Sequence, residues 1–338
     1  MIQKTALITG IRGQDAAFLA KFLLDKGYKV IGTDRRNSNS SHWRLEYLQI
    51  NNHPSLIYEY MDITEFYNVQ TVIKKYQPDE IYNLAAMSFV QTSFNQPFLT
   101  NKVNTEGVLN ILEAIKHCSP NSKLYQASTS EMFGRVLETP QKETTPFNPR
   151  SPYGIAKLAA HEYVKNYRES YGLFACSGIL FNHTGQLRGT EFVTRKITSN
   201  LSNILLDIQE CIELGNLYAK RDWGYAGDYV EAMWLMLQQP IPDDFVIATG
   251  ETHTIKEFVD EAFNCVDMPL SWVNEGINEQ GIDSYGIIRV KINPIFYRPN
   301  EVDILQGDAT KAKEILKWQP KMTFKKLVEI MVEYDCEW

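Results

Sequence analysis

The sequence predicts an α/β chain built on a doubly wound parallel sheet, with a smaller, mostly C-terminal lobe. Three observations predict it. Six short β-forming runs alternate with helix-patterned stretches through the first 182 residues; the first run ends in a glycine-bearing turn that opens a helix; and beyond residue 183 the alternation loosens into helices, short strands and longer loops. Such alternation implies crossover connections and a sheet covered on both faces.

The runs are TALITG from Thr5, YKVIGTD from Tyr28, LIYEYMD from Leu56, EIYNLAA from Glu80, KLYQAST from Lys123 and ACSGILFN from Ala175. Between them lie stretches such as AFLAKFLLDKG and VLNILEAIKHC, whose apolar residues recur at helical spacing. Ligands of these sheets bind beyond the carboxyl ends of the strands. Polar and small residues that follow the first, second, fourth, fifth and sixth runs are therefore expected to converge. At 338 residues the chain exceeds the usual single core. The expected division is 1–182 for the dinucleotide-binding part and 183–338 for the substrate lobe, with the last helices packing back and some strand exchange. The Gly/Asn/Asp-rich stretch from Asn274 to Gly286 reads as a loop.

Net charge is −7 and no Lys/Arg block occurs, which excludes the electrostatic footprint of a nucleic-acid or anionic-membrane binder. No segment approaches the ~18 consecutive apolar residues of a membrane span, and the N-terminus lacks the pattern of a secretory signal. Five cysteines are scattered without Cys-x-x-Cys or Cys/His spacing. They are expected to be free thiols in a reducing cytoplasm, and no metal site is expected.

Gly10-Ile11-Arg12-Gly13-Gln14-Asp15-Ala16 directly follows the first run. Gly10 allows a tight turn and Gly13 a close backbone approach, while a helix starting at Gln14 and Asp15 turns its N–H groups toward a pyrophosphate. This is the phosphate turn of a Rossmann-type sheet. After the second run, Asp34 suits the ribose diol of NAD, whereas Arg35 and Arg36 suit the 2′-phosphate of NADP. NADP is the favoured cofactor and NAD the alternative. Leu84-Ala85-Ala86, after the fourth run, places small side chains where a flat cofactor could lie.

Tyr153 and Lys157 stand four apart, on one helical face. An ammonium beside a phenol lowers its pKa from about 10, which would make Tyr153 a base near neutrality. A surface helix pair would show the same spacing. The pattern gains weight from Thr129 and Glu131, which follow the fifth run and so share the rim. Thr129 can donate to the sugar oxygen that Tyr153 deprotonates. Glu131 is a carboxylate that simple alcohol oxidation does not need. Once C4 of a hexose is a ketone, the C5 hydrogen is acidified, and a carboxylate there can remove it and expel the C6 hydroxyl as water.

With these residues in place the chain resembles the extended short-chain dehydrogenase/reductase superfamily and, within it, the GDP-mannose 4,6-dehydratase family. The likeness runs through NLAA, STSE, SPYGIAK, FNH and FVTRKIT to RDWGYAGDYVEAMW and YRPNEVD. The resemblance implies Thr129, Glu131, Tyr153 and Lys157 as the catalytic set. For the cofactor it adds Asp62, Ile63 and His183 to the phosphate turn, Arg35 and the Leu84–Ala86 segment. For a GDP-sugar it implies Ser88, Asn182, Val193, Lys196, Arg221, Arg298 and Glu301. The implied reaction is oxidation at C4 by bound NADP, loss of water across C5–C6 and hydride return to C6, giving GDP-4-keto-6-deoxy-mannose. The implied assembly is a homodimer or homotetramer. Met87-Ser88-Phe89 and His183-Thr184-Gly185-Gln186 depart from the family's usual residues at positions expected to flank the sugar. Another GDP-hexose, a GDP-heptose, or a 4-keto-6-deoxy-sugar reductase or epimerase reaction therefore stay open.

Overall fold

The computed structural model describes residues 3–36, 38, 41–297 and 304–336. Arg298 and Glu301 lie outside the described residues. The six predicted runs form β1 (Thr5–Thr9), β2 (Lys29–Asp34), β3 (Leu56–Tyr60), β4 (Glu80–Asn83), β5 (Lys123–Thr129) and β6 (Ala175–Leu180). They pair in parallel in the order β6-β5-β4-β1-β2-β3, and the strand Phe245–Ile247 closes the far edge beside β6. The predicted fold class is thus the observed one. β6 is buried along its whole length and β1 along four of its five residues, because helices cover both faces.

One face packs against helix α1 (Gln14–Asp25) and the helix Ala226–Gln238, through Phe18, Leu19, Leu23, Tyr229, Met233 and Met236. The other packs against Phe66–Tyr76, Gly107–Cys118 and Pro152–Tyr171. Residues 226–247 therefore return to the sheet from beyond position 183. A third cluster, including Ile197, Leu201, Phe258, Phe263, Leu327 and Met331, forms the second lobe from Val193–Leu205, Ile255–Asn264 and the last helix, Phe324–Cys336.

The stretch Asn274–Gly286 departs from expectation. Gln280–Ile282 is a strand of a four-stranded sheet with Ser271–Val273, Ile288–Ile292 and Ile212–Leu214. Gly281 packs closely there, since an added Cβ would come 3.1 Å from Leu270 Cδ1 and touch the Trp272 ring at 3.4 Å. No helix among the described residues is long and apolar enough to cross a membrane, and no group of three potential ligands for a metal ion occurs among them.

Candidate active site

The carboxyl ends of β1, β2, β4, β5 and β6 open onto one rim. Gly10 follows β1 at φ +70°, and an added Cβ would stand 3.0 Å from the Cα of Ala85, so the glycine lets two strand ends approach. Gly13 precedes α1 in an extended conformation, and no side chain caps the helix. The first-turn N–H groups are left facing the rim, which suits a phosphate. Leu84 and Ala85 are fixed by backbone N–H bonds to Thr9 Oγ1 (3.0 and 2.9 Å). At the end of β2, Arg12 bonds Asp34 through Nε. A second cavity of about 470 Å³ is lined by Arg35, Arg36, Tyr60, Met61, Asp62 and Asn68. Asp62 is itself shaped by Thr64, whose N–H and hydroxyl donate to it, and Ile63 is buried against Gly107.

The helix Pro152–Tyr171 begins well defined: Ser151 caps it by accepting from Gly154 N at 3.0 Å, and Pro152 fills its first position. This start buries Tyr153 and Lys157 together at the end of β5. Thr129 lies close enough to Tyr153 for its side chain to pull the phenol's pKa down. Thr129 in turn caps the short turn Ser130–Met132, accepting from Glu131 N at 3.3 Å. Lys157 Nζ donates to the carbonyl of Ala127 at 2.9 Å and stands 5.9 Å from the centre of the Tyr153 ring. Glu131 lines a cavity of about 900 Å³, along with Asn182, His183, Val193, Lys196 and Arg221.

The electrostatics correct one expectation. Tyr153 is not lowered. Burial pushes its phenol up to about 12, against the pull of the Thr129 side chain and the Arg188 charge, and the Glu131 carboxylate adds to the rise. Burial also drives Lys157 down to about 8, offset only in part by Asp15. At about 8 Lys157 is still largely protonated at neutral pH, and its ammonium is turned toward the Ala127 carbonyl rather than the phenol oxygen. Asp15 is half-buried, and desolvation works against its ionisation, yet His183 and Arg188 hold it at about 2. His183 ties α1 to the end of β6, with Nε2 2.8 Å from Asp15 Oδ2, Nδ1 2.8 Å from the Phe181 carbonyl, and its ring stacked on Tyr229.

On the far side of the large cavity, Arg221 is buried and donates to the Lys220 carbonyl. Lys196 stands 3.4 Å over the Phe296 ring, and burial lowers its pKa. Ser88 is exposed and is not among the residues lining the large cavity. The departures at 184–186 turn largely inward. Thr184 bonds Thr194 (2.8 Å), an added Cβ at Gly185 would come 3.2 Å from the Tyr225 ring, and Gln186 lies close enough to Tyr225 to pull its phenol down against burial. Sequence reasoning missed Arg188, which stacks on Phe192 at 3.6 Å and whose charge reaches both Asp15 and Tyr153. It also missed Gln91, which lines the cavity beside Phe89. No spacing or motif singles out either residue.

Comparison with known proteins agrees with this geometry. The family model described as GDP-mannose 4,6 dehydratase matches residues 7–331. The chain belongs to the GDP-mannose 4,6-dehydratase family. Named family members align along its length: the GDP-mannose 4,6 dehydratase of Drosophila melanogaster is 50% identical, covering 99% of this chain and 86% of that protein. The Homo sapiens protein of the same name is 50% identical, covering 99% and 92%. Among solved structures, a dTDP-glucose 4,6-dehydratase from Streptomyces venezuelae with NAD and TYD bound superposes with a TM-score of 0.82 at 20% identity. It covers 98% of this chain and 96% of that one. That likeness bears on the fold alone, and it places this member of the family on the same seven-stranded architecture.

Proposed function

We propose that the protein is a GDP-mannose 4,6-dehydratase that converts GDP-mannose to GDP-4-keto-6-deoxy-mannose and water. The observation that carries this reading is Glu131: a carboxylate lining the large cavity and close enough to Tyr153 for its charge to raise the phenol's pKa. An enzyme that only moved hydride at C4, such as a reductase or epimerase, would have no use for it.

The residues fit a nicotinamide dinucleotide. Gly10 and Gly13 leave room for its backbone approach, the uncapped start of α1 suits its pyrophosphate, and Gln14 Oε1 is a buried acceptor without a protein partner. A nicotinamide held there would supply the hydride acceptor for C4 and the hydride donor for C6. We assign NADP rather than NAD, because Arg12 already engages the Asp34 carboxylate while Arg35 and Arg36 line the second cavity. Asp62, Ile63, the Leu84–Ala86 segment, Asp15 and His183 complete this half of the site.

In the chemistry, Tyr153, raised to about 12 by burial, takes the proton of the C4 hydroxyl from its tyrosinate form, while Thr129 donates to the same oxygen. Lys157 favours the tyrosinate only while it is protonated, so its contribution falls away above about pH 8. Glu131 then removes the C5 proton acidified by the C4 carbonyl, the carboxylic acid so formed gives a proton to the departing C6 hydroxyl, and once hydride is returned to C6 a solvent proton is added at C5. Arg221 and Lys196 offset the diphosphate charge, with Asn182 and Val193 beside them; Ser88, Arg298 and Glu301 are assigned to the substrate by resemblance. Two packed lobes, a reducing cytoplasm for five free thiols, and a homodimer or homotetramer belong to the same proposal. Self-association is supported by Phe98, Leu99 and Ile155, exposed on the helices Pro97–Asn101 and Pro152–Tyr171.

The test is incubation of purified protein and NADP with GDP-mannose, read by mass spectrometry. The expected product is lighter by one water with no net consumption of cofactor. A sugar of unchanged mass overturns the assignment.

A further inference from the structure

We infer that Gln91 is a specificity-determining residue that accepts a hydrogen bond from a hydroxyl of the substrate hexose, at C2 or C3. The inference rests on the GDP-hexose reading above.

Gln91 lies in the first turn of the short helix Val90–Asn95 and lines the same cavity as Glu131. Its Oε1 is buried and has no hydrogen-bond partner. A buried carbonyl oxygen left without a donor is destabilising, so a position like this persists where a ligand meets the need. The chemistry of the atom narrows the ligand group. An amide oxygen only accepts, and a diphosphate at neutral pH also only accepts, so the two cannot pair. A hexose offers hydroxyl donors.

Position narrows it further. The helix follows the carboxyl end of β4, which is paired in the sheet with β5, the strand that leads into Thr129 and Glu131. It also packs against the helix that carries Tyr153 and Lys157. Phe89, the residue before this helix, meets Phe192 edge-on at 5.6 Å, and Phe192 in turn carries Arg188, whose charge reaches Tyr153. Gln91 therefore belongs to the end of the cavity where the sugar reacts. The hydroxyls at C4 and C6 are consumed by the reaction, which leaves those at C2 and C3 to be read.

The test combines a protein change with a ligand change. Gln91→Met keeps length and volume and removes the acceptor. It is expected to lower kcat/KM for GDP-mannose about tenfold through KM, while the inhibition constant of GDP stays within twofold. With wild-type protein, GDP-2-deoxy-mannose or GDP-3-deoxy-mannose is expected to show the same tenfold loss, and that analogue should lose nothing more when Gln91→Met is the enzyme. The analogue series on wild type stands even if the variant folds poorly. Equal kcat/KM for variant and wild type, additive losses from both changes, or a parallel rise in the GDP constant overturns the inference. If wild type removes no water from GDP-mannose, the dehydratase reading fails and this inference falls with it; if wild type does so and Gln91→Met matches it, Gln91 alone loses its role.

Discussion

The two rims of the main sheet treat buried polar groups in opposite ways. At the amino rim Glu80, 1% exposed, is saturated: Lys4 Nζ (3.0 Å), Tyr28 OH (3.1 Å) and Gln238 Nε2 (3.1 Å) donate to one oxygen, and Tyr82 OH (2.8 Å) to the other. Trp234 in turn donates to Tyr28. At the carboxyl rim and in the loops that follow it, Gln14 Oε1, Gln91 Oε1, Asn182 Oδ1 and Gln186 Oε1 are buried without a hydrogen-bond partner within 3.5 Å. Lys157 is driven to about 8 there. A saturated network fixes the fold, whereas unmet acceptors beside the cavity describe what a ligand could supply.

Substitutions at the two rims should therefore separate activity from stability. The largest effect belongs to Glu131→Gln, which should lower turnover of GDP-mannose about 10³-fold, the scale of a lost acid–base group. GDP affinity, measured by calorimetry, should change less than twofold. Next is Glu80→Leu at the opposite rim, which leaves four donors without their acceptor and should cost about 2–4 kcal/mol in urea unfolding. Its kcat/KM per folded molecule should stay within twofold; a tenfold loss would break the contrast between the rims.

Lys157 sharpens the contrast through pH. Its pKa is depressed on folding, from 10.5 to about 8, so the unfolded chain holds more protons between those values. The stability linked to this group is fully present above about 10.5 and is lost as pH falls toward 8. Unfolding free energy should accordingly rise between pH 8 and 10, before Tyr153, raised to about 12, begins to act in the opposite sense. Lys157→Met should flatten that rise and abolish most activity. The smallest effect is expected for Gln14→Leu, where removing an unsatisfied buried oxygen should leave stability within about 1 kcal/mol or improve it. Cofactor affinity should nevertheless weaken severalfold in a fluorescence titration.

Much of this was legible in the sequence because it is local. The six strands announce themselves by short apolar runs, and the order of Gly10, Thr129, Tyr153 and Lys157 along strand ends already implies a shared rim. The strand Phe245–Ile247 is three residues long, too short for periodicity, and joins the sheet only because Ala226–Gln238 brings the chain back across α1. Gln280–Ile282 hides in a Gly/Asn/Asp-rich stretch because its pairing, not its composition, makes it a strand. The direction of the Tyr153 shift is likewise tertiary: spacing brings Lys157 near, but burial and Glu131 decide the sign. Arg188 and Gln91 lie on segments with no pattern of their own, and only the assembled cavity gives them meaning.

The central claim is that Glu131 pulls a carbon-bound proton from C5. Its most direct test is turnover of GDP-mannose deuterated at C4 in ordinary water, paired with turnover of unlabelled substrate in D2O, both read by NMR of the product. The account predicts that the C4 deuterium reappears at C6, that D2O places one deuterium at C5, and that Glu131→Gln stops both. A product formed in D2O with only protium at C5, or formed at the wild-type rate by Glu131→Gln, would contradict it.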